Sequence, residues 1–295
     1  MTRHRRSSTL LVVFALMFGA TSALQPARAT VLAFPGDRPF NLYVPSNYAP
    51  EIQLPLIIAL HGFAQSGDKF EKYLNINPIA ETKGFLYVHP DGTSDPTGNK
   101  FWNATPECCD YQIPKVDDDA YLMSIIDQVS QSYSVDPNRI FIIGHSNGGF
   151  MANVLACKHA DRIAAIVNIA GGSFITSAQC KPQVPINILQ IWGTKDVTYS
   201  GNHFNGKPMP GALKTITTWA GLNHCSKIPT TLKTKFDLDR SVAGYETQVL
   251  QFPNCAAGIS VEYWRMSGVS HVPNISRTFT SQIIDYLLAH PKHDV

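Results

Sequence analysis

"IIGHSNGGFMANVLACKHA", residues 142–160, decides the fold. An apolar run ends at Ile143, the pattern Gly144-His145-Ser146-Asn147-Gly148 follows, and a helix-like segment comes next. A strand that turns sharply into a helix needs glycines there, because side chains would collide with neighbouring strands. The same tight turn lifts the serine hydroxyl out of the sheet. At ordinary glycine and serine usage, a chain of this length produces roughly 0.1 chance matches to G-x-S-x-G, so the strand–turn–helix context carries the reading. A serine alone is a poor nucleophile. The rest of the chain has to supply a base, an orienting acid and an oxyanion hole.

Short apolar runs bounded by turn residues recur at 40–44, 56–60, 85–89, 140–143, 163–169, 186–191 and 261–266. They are continuous rather than alternating, as expected of strands buried on both faces of a mostly parallel sheet. Helical patterns lie at 117–133, at 148–160 and at 279–289. Alternating strands and helices predict an α/β architecture with helices on both faces of the sheet. Ligand sites in such sheets sit at the carboxyl ends of the strands.

A serine on this kind of turn is followed along the chain by its acid and then its base. The strand end at 188–192 runs into Gly193-Thr194-Lys195-Asp196, which makes Asp196 the candidate acid. Six histidines follow Ser146, at 159, 203, 224, 271, 290 and 293. His271 alone ends a Gly/Ser loop after a strand, in Ser267-Gly268-Val269-Ser270-His271, and is the candidate base. For the oxyanion hole, the N–H of Asn147 follows the nucleophile, and Leu60-His61-Gly62-Phe63 supplies a turn after an early strand. Phe63 N–H is therefore the expected second donor, with Gln65 as a side-chain contact to substrate. Together these residues point to a serine hydrolase working through an acyl-enzyme.

Charged residues make up 16% of the 295, hydrophobic ones 44%, and the net charge is +2. That balance argues against nucleic acid or an anionic membrane as a main partner. At the N-terminus Arg3, Arg5 and Arg6 precede an apolar run from Leu10 to Phe18 that is too short to span a bilayer. Small residues follow, with Ala27-Arg28-Ala29 in A-x-A form and Thr21-Ser22-Ala23 as a competing cleavage site. Residues 1–29 are thus expected to be a secretory signal, and 30–295 one catalytic domain, exported to the periplasm or beyond. In an oxidising compartment the six cysteines read as disulfides rather than as metal ligands, since no C-x-x-C or paired-His spacing is present. Adjacent Cys108 and Cys109 strain the peptide if they pair with each other. Each is expected to find Cys157 or Cys180, in either pairing, leaving Cys225 with Cys255. Asp117, Asp118 and Asp119 read as helix capping, and no metal or cofactor is called for.

"LHGFAQSGDKF", "HPDG", "FWNATPECCD", "VDDDAYL", "DPNRIFIIGHSNGGFMANVLAC" and "GTKD" resemble the secreted polyhydroxybutyrate depolymerase and feruloyl esterase-like group, the esterase D/carbohydrate esterase family one branch of the α/β-hydrolases. The resemblance extends over nearly all of residues 35–290. It implies an α/β-hydrolase fold, a triad at Ser146, Asp196 and His271, a second oxyanion donor at Phe63, and a Cys225–Cys255 bridge. The group's tryptophan after the histidine is missing from His271-Val272-Pro273, and the segment after Asp196 is shorter than usual. Both differences border the site, so they bear on substrate more than on reaction. Trp102 and Trp192, in or near loops expected to rim the site, are candidate walls for an aromatic or polyester substrate. The absence of a linker and separate binding module favours soluble oligomers, short esters or surface-eroding action without an anchor, by a monomer. The competing readings are an oligopeptidase-type serine peptidase and a non-catalytic polymer-binding protein.

Overall fold

The computed structural model describes residues 29–109, 116–201, 203–204, 207–256 and 258–292. The proposed signal segment lies outside them, apart from its last residue. Strands are β1 Thr30–Phe34, β2 Phe40–Val44, β3 Leu54–Leu60, β4 Leu86–Val88, β5 Thr93–Ser94, β6 Lys100–Phe101, β7 Val135–His145, β8 Ala165–Ile169, β9 Asn187–Gly193, β10 His203–Phe204, β11 Lys207–Pro208, β12 Thr230–Phe236, β13 Thr247–Gln251 and β14 Val261–Met266. Helices are α1 Gly67–Leu74, α2 Asn77–Lys83, α3 Asp118–Ser132, α4 Asn147–Lys158, α5 Ala212–Leu222 and α6 Phe279–Ala289.

Ten strands form one sheet in the order β1-β2-β4-β3-β7-β8-β9-β14-β13-β12. The six from β4 to β14 run parallel, and antiparallel pairs extend the sheet at both edges. Burial explains why the central strands read as unbroken apolar runs. Leu56, Ile58, Leu60, Ile142, Ile166 and Ile188 point into one core, beneath α3, α4 and α5. Ile57, Ala59, Phe141, Ile143, Val167, Leu189 and Ile191 point into the other, beneath α1, α2 and α6. Each strand therefore has no solvent face on which to place polar residues. The parallel sheet covered on both faces is the predicted α/β-hydrolase architecture.

The antiparallel flank was less legible. β12 is mostly exposed and reads TTLKTKF, while β13 reads TQVLQ with buried positions alternating with half-buried ones. A strand with a wet face needs only every second residue to be apolar, so neither stretch makes a continuous run. At α3 the capping expectation holds for Asp117, whose side chain accepts from Ala120 N–H. Its neighbours do other work. Asp118 is buried and accepts from Arg38 Nη1 at 2.6 Å and Asn103 N–H at 2.6 Å. Asp119 pairs with Lys158 and with His159.

Candidate active site

The centre of the site is Ser146, between the end of β7 and the first residue of α4. Its backbone sits at φ 54°, ψ −118°, a conformation that costs a non-glycine residue about 1–3 kcal/mol. Ser146 N–H is held by Ile169 O of β8 at 2.8 Å. The flanking glycines make the turn possible. A Cβ on Gly148 would lie 2.1 Å from Leu60 O of β3, and one on Gly144 would lie 2.1 Å from Gly148 O in α4's own first turn.

Three loops at the carboxyl ends of parallel strands converge on this serine. His271, five residues beyond β14, places Nε2 at 2.8 Å from Ser146 Oγ. Its Nδ1 lies 2.6 Å from Asp196 Oδ2, three residues beyond β9. Asp196 is buried, 5% exposed, and every hydrogen-bond partner on its carboxylate is a donor. Oδ2 also accepts from Trp192 Nε1 at 2.7 Å, and Oδ1 accepts from Thr198 N–H and Thr198 Oγ1, both at 2.8 Å. Burial pushes the carboxyl pKa up, but the bonds from His271 and Thr198 outweigh it and hold it below the ordinary value. Asp196 is therefore an anion at neutral pH.

The third loop follows β3. Gly62 packs so closely that a Cβ would lie 3.1 Å from His145 Nδ1 and 3.5 Å from Ser146 Cβ. Gly92 N–H donates to His61 Nε2 at 2.9 Å, which leaves Nδ1–H to donate to Gly62 O at 2.8 Å. This fixes a neutral His61 tautomer, and burial lowers its pKa in keeping. Phe63 stands on the turn that His61 pins. Asn147, the first residue of α4, presents a backbone N–H that has no partner within the helix.

Ser146, His271, His145, Gly62 and Phe63 line a pocket of about 260 Å³ together with Gln65, Cys108, Cys109, Phe150, Ala170, Thr198, Met209 and Val272. Gln65, the expected substrate contact, is among the lining residues. Trp102 and Trp192 are not: neither lines the pocket, and both rings are buried. Each indole N–H has a structural partner instead, His61 O for Trp102 at 3.0 Å and Asp196 for Trp192. The cysteine pairing is also corrected. Cys108 bonds Cys109, and Cys157 bonds Cys180, while Cys225–Cys255 is as expected. Cys157 lies eleven residues beyond Ser146 along α4, about 16 Å away at 1.5 Å per residue, too far to reach cysteines that border the serine. The strain expected of an adjacent pair is taken up at Cys109, whose φ is 71°.

Residues 39–184 match the family model described as "Esterase PHB depolymerase". Over that span the chain belongs to the PHB-depolymerase esterase family. Among curated relatives of this esterase family, the chain is 29% identical over 237 residues to "Feruloyl esterase B" of Piromyces equi, covering 77% of this chain and 41% of that one. It is 29% identical over 182 residues to "Poly(3-hydroxyalkanoate) depolymerase C" of Paucimonas lemoignei, covering 58% and 42%. The chain thus spans about two fifths of the length of these relatives. Among solved structures, an acetyl xylan esterase from Aspergillus awamori shares the fold with a TM-score of 0.60 at 14% identity, over 88% of this chain and 99% of that one.

Within this PHB-depolymerase-family site, one residue that sequence reasoning passed over is His145. Its ring is buried, with its centroid 5.4 Å from that of His271 and Nε2 donating to His271 O at 3.1 Å. It thereby ties the base's loop to the nucleophile's strand. Burial, reinforced by the nearby His271, lowers its pKa to about 4. The sign of the resulting pH dependence follows. In the unfolded chain His145 and His61 take up protons near pH 6.5, whereas the folded protein keeps them neutral to lower pH. Stability from this source is complete above about 6.5 and is lost as pH falls toward about 4. The urea midpoint is expected to begin dropping below about pH 6.5, above the range where ordinary carboxylates titrate. A midpoint that stays level from pH 7 to pH 4.5 would contradict it.

Proposed function

We propose that the chain is a secreted serine carboxylic-ester hydrolase. The observation that carries the reading is the unbroken relay from Ser146 Oγ through His271 to a buried, ionised Asp196, opening on a pocket. Ser146 Oγ attacks the carbonyl carbon while His271 Nε2 takes its proton. Asp196 holds the imidazole in the tautomer that can accept and steadies the imidazolium that forms. The N–H groups of Asn147 and Phe63 receive the oxyanion. On collapse, His271 returns the proton to the departing alkoxide. Water, activated by the same imidazole, then cleaves the acyl-enzyme to acid and free serine.

The relatives' names, feruloyl esterase and poly(3-hydroxyalkanoate) depolymerase, support an ester or polyester substrate of hydroxyalkanoate or feruloyl type. Export is supported by the N-terminal sequence and by three disulfides. Among the described residues no helix is long and apolar enough to cross a membrane.

A fluorophosphonate is expected to modify Ser146 at one equivalent per chain, with turnover of p-nitrophenyl butyrate disappearing in proportion. Modification at another residue, or full turnover by fully modified protein, would sink this reading. Release of ferulate and of 3-hydroxybutyrate from the respective polymers, measured side by side, then ranks the substrates.

A further inference from the structure

We propose that the Cys108–Cys109 disulfide is a substrate-contacting wall of the acyl subsite, and that it selects apolar acyl groups bulkier than acetyl. The inference rests on the ester-hydrolase reading of the site and extends it to the part of the pocket that meets the acyl group.

The disulfide stands apart from the structural bridges. Cys157–Cys180 braces the large core and Cys225–Cys255 packs against its edge. Cys108 instead belongs to a small separate cluster with Phe150 and Met209, which Ala104 and Cys109 flank. Four of these five residues, Cys108, Cys109, Phe150 and Met209, line the pocket beside Ser146. An apolar cluster outside both main cores, with one side open to the nucleophile, offers contact area to a ligand rather than to the fold. Disulfide and thioether sulfurs are polarizable and make favourable contacts with aromatic and alkyl groups.

The wall is also held in place. Asn147 Oδ1 accepts from Trp102 N–H at 2.6 Å and Asn147 Nδ2 donates to Trp102 O at 2.8 Å, both fully buried. The same Nδ2 lies 4.0 Å from Cys108 Sγ. The side chain next to the nucleophile thus clamps the segment that leads to the disulfide. Asp118 clamps it again through Asn103 N–H. Cys109, at φ 71°, occupies left-handed backbone that a cysteine adopts only when its surroundings impose it.

The stereochemistry of the reaction assigns this wall to the acyl group. The tetrahedral carbon carries Ser146 Oγ, the oxyanion, the leaving oxygen and the acyl substituent. The leaving oxygen must face His271 Nε2, which reprotonates it, and with His271 go Val272, the next residue, and Thr198, whose hydroxyl donates to the Asp196 that His271 bonds. The oxyanion faces the N–H groups of Phe63 and Asn147. The acyl substituent takes the remaining side, where the disulfide, Phe150 and Met209 stand.

The test compares p-nitrophenyl acetate with p-nitrophenyl 3-phenylpropanoate. In C108A/C109A the ratio of kcat/KM for the phenylpropanoate over the acetate is expected to fall at least tenfold, mostly through a higher KM for the phenylpropanoate. An unchanged ratio, or an equal fall for both esters in a variant of unaltered circular dichroism, would overturn the proposal. Should the double variant not fold, the wild-type protein answers the same question. A crystal structure of its Ser146 adduct with a phenylethyl fluorophosphonate is expected to place the ring against Cys108–Cys109 and Phe150. A ring beside Thr198 and Val272 overturns the assignment. Wild-type protein that turns over neither ester removes the hydrolase reading and this proposal with it. A wild type active on both esters, with the ratio unmoved in the variant, removes this proposal alone.

Discussion

Ser146→Ala is expected to lower kcat on p-nitrophenyl butyrate by about 10⁵- to 10⁶-fold, the scale on which serine hydrolases lose turnover with their nucleophile. No other hydroxyl is placed to substitute: among the residues lining the pocket only Thr198 carries one, and it is engaged by Asp196 Oδ1. KM should change far less, because the pocket lining and the proposed oxyanion donors stay in place. The melting temperature is expected to stay level or rise. Alanine removes a half-buried hydroxyl whose one hydrogen bond goes to His271, and the strained backbone at φ 54° remains. Steady-state kinetics and thermal unfolding on the same preparation check both halves. A variant retaining more than about 1% of wild-type kcat would mean that another group attacks the carbonyl.

The expected nucleophile, acid and base were legible because chemistry constrains them by residue type: Ser146, Asp196 and His271 each follow a buried strand whose apolar run marks its end, and the structure joins them by hydrogen bonds. Gly62 was legible as the residue that lets the backbone turn after β3, and in the structure a Cβ there would lie 3.1 Å from His145 Nδ1. What sequence could not disclose is which side chains face inward from a loop. Trp102 and Trp192 have the composition of a substrate platform, yet their indole N–H groups are committed to His61 O and Asp196. Their rings are spent on holding the site in shape. Phe150 and Met209, on a helix and in a loop far apart in sequence, do face the pocket.

Two of the motifs that carried the family resemblance prove to be braces. In "HPDG", Asp91 accepts from Gly67 N–H at 2.9 Å and Gly92 N–H donates to His61. Both therefore hold the loop that presents Phe63. In "VDDDAYL", Asp118 joins Arg38 to the loop carrying Asn103. Such residues look like candidate ligands or caps in a sequence because charge and glycine are visible there. The backbone N–H groups that occupy them are not visible.

Asp196→Asn is expected to reduce kcat by about 10⁴-fold, the effect known where a triad carboxylate becomes an amide, and the surroundings of Asp196 explain why no rearrangement rescues it. Four donors converge on two oxygens: His271 Nδ1 and Trp192 Nε1 on Oδ2, Thr198 N–H and Thr198 Oγ1 on Oδ1. An asparagine must replace one oxygen with NH2. If the nitrogen takes the Oδ1 position it faces Thr198 N–H, which cannot turn away. If it takes the Oδ2 position it faces the Trp192 indole N–H and also obliges His271 to present an unprotonated Nδ1. The imidazole then carries its proton on Nε2, toward Ser146, and cannot accept the serine's. Either arrangement leaves a buried N–H against N–H, a loss of about 1–3 kcal/mol of stability for an unsatisfied donor. Activity and stability should therefore fall together, unlike Ser146→Ala, where only activity falls. The pH profile discriminates further. The loss of kcat/KM should persist into alkaline pH, since the neutral imidazole in the wrong tautomer keeps its Nε2 proton there and still cannot accept the serine's. A variant with wild-type kcat at neutral pH would show that Asp196 is a structural anchor for the β9 loop and takes no part in proton transfer.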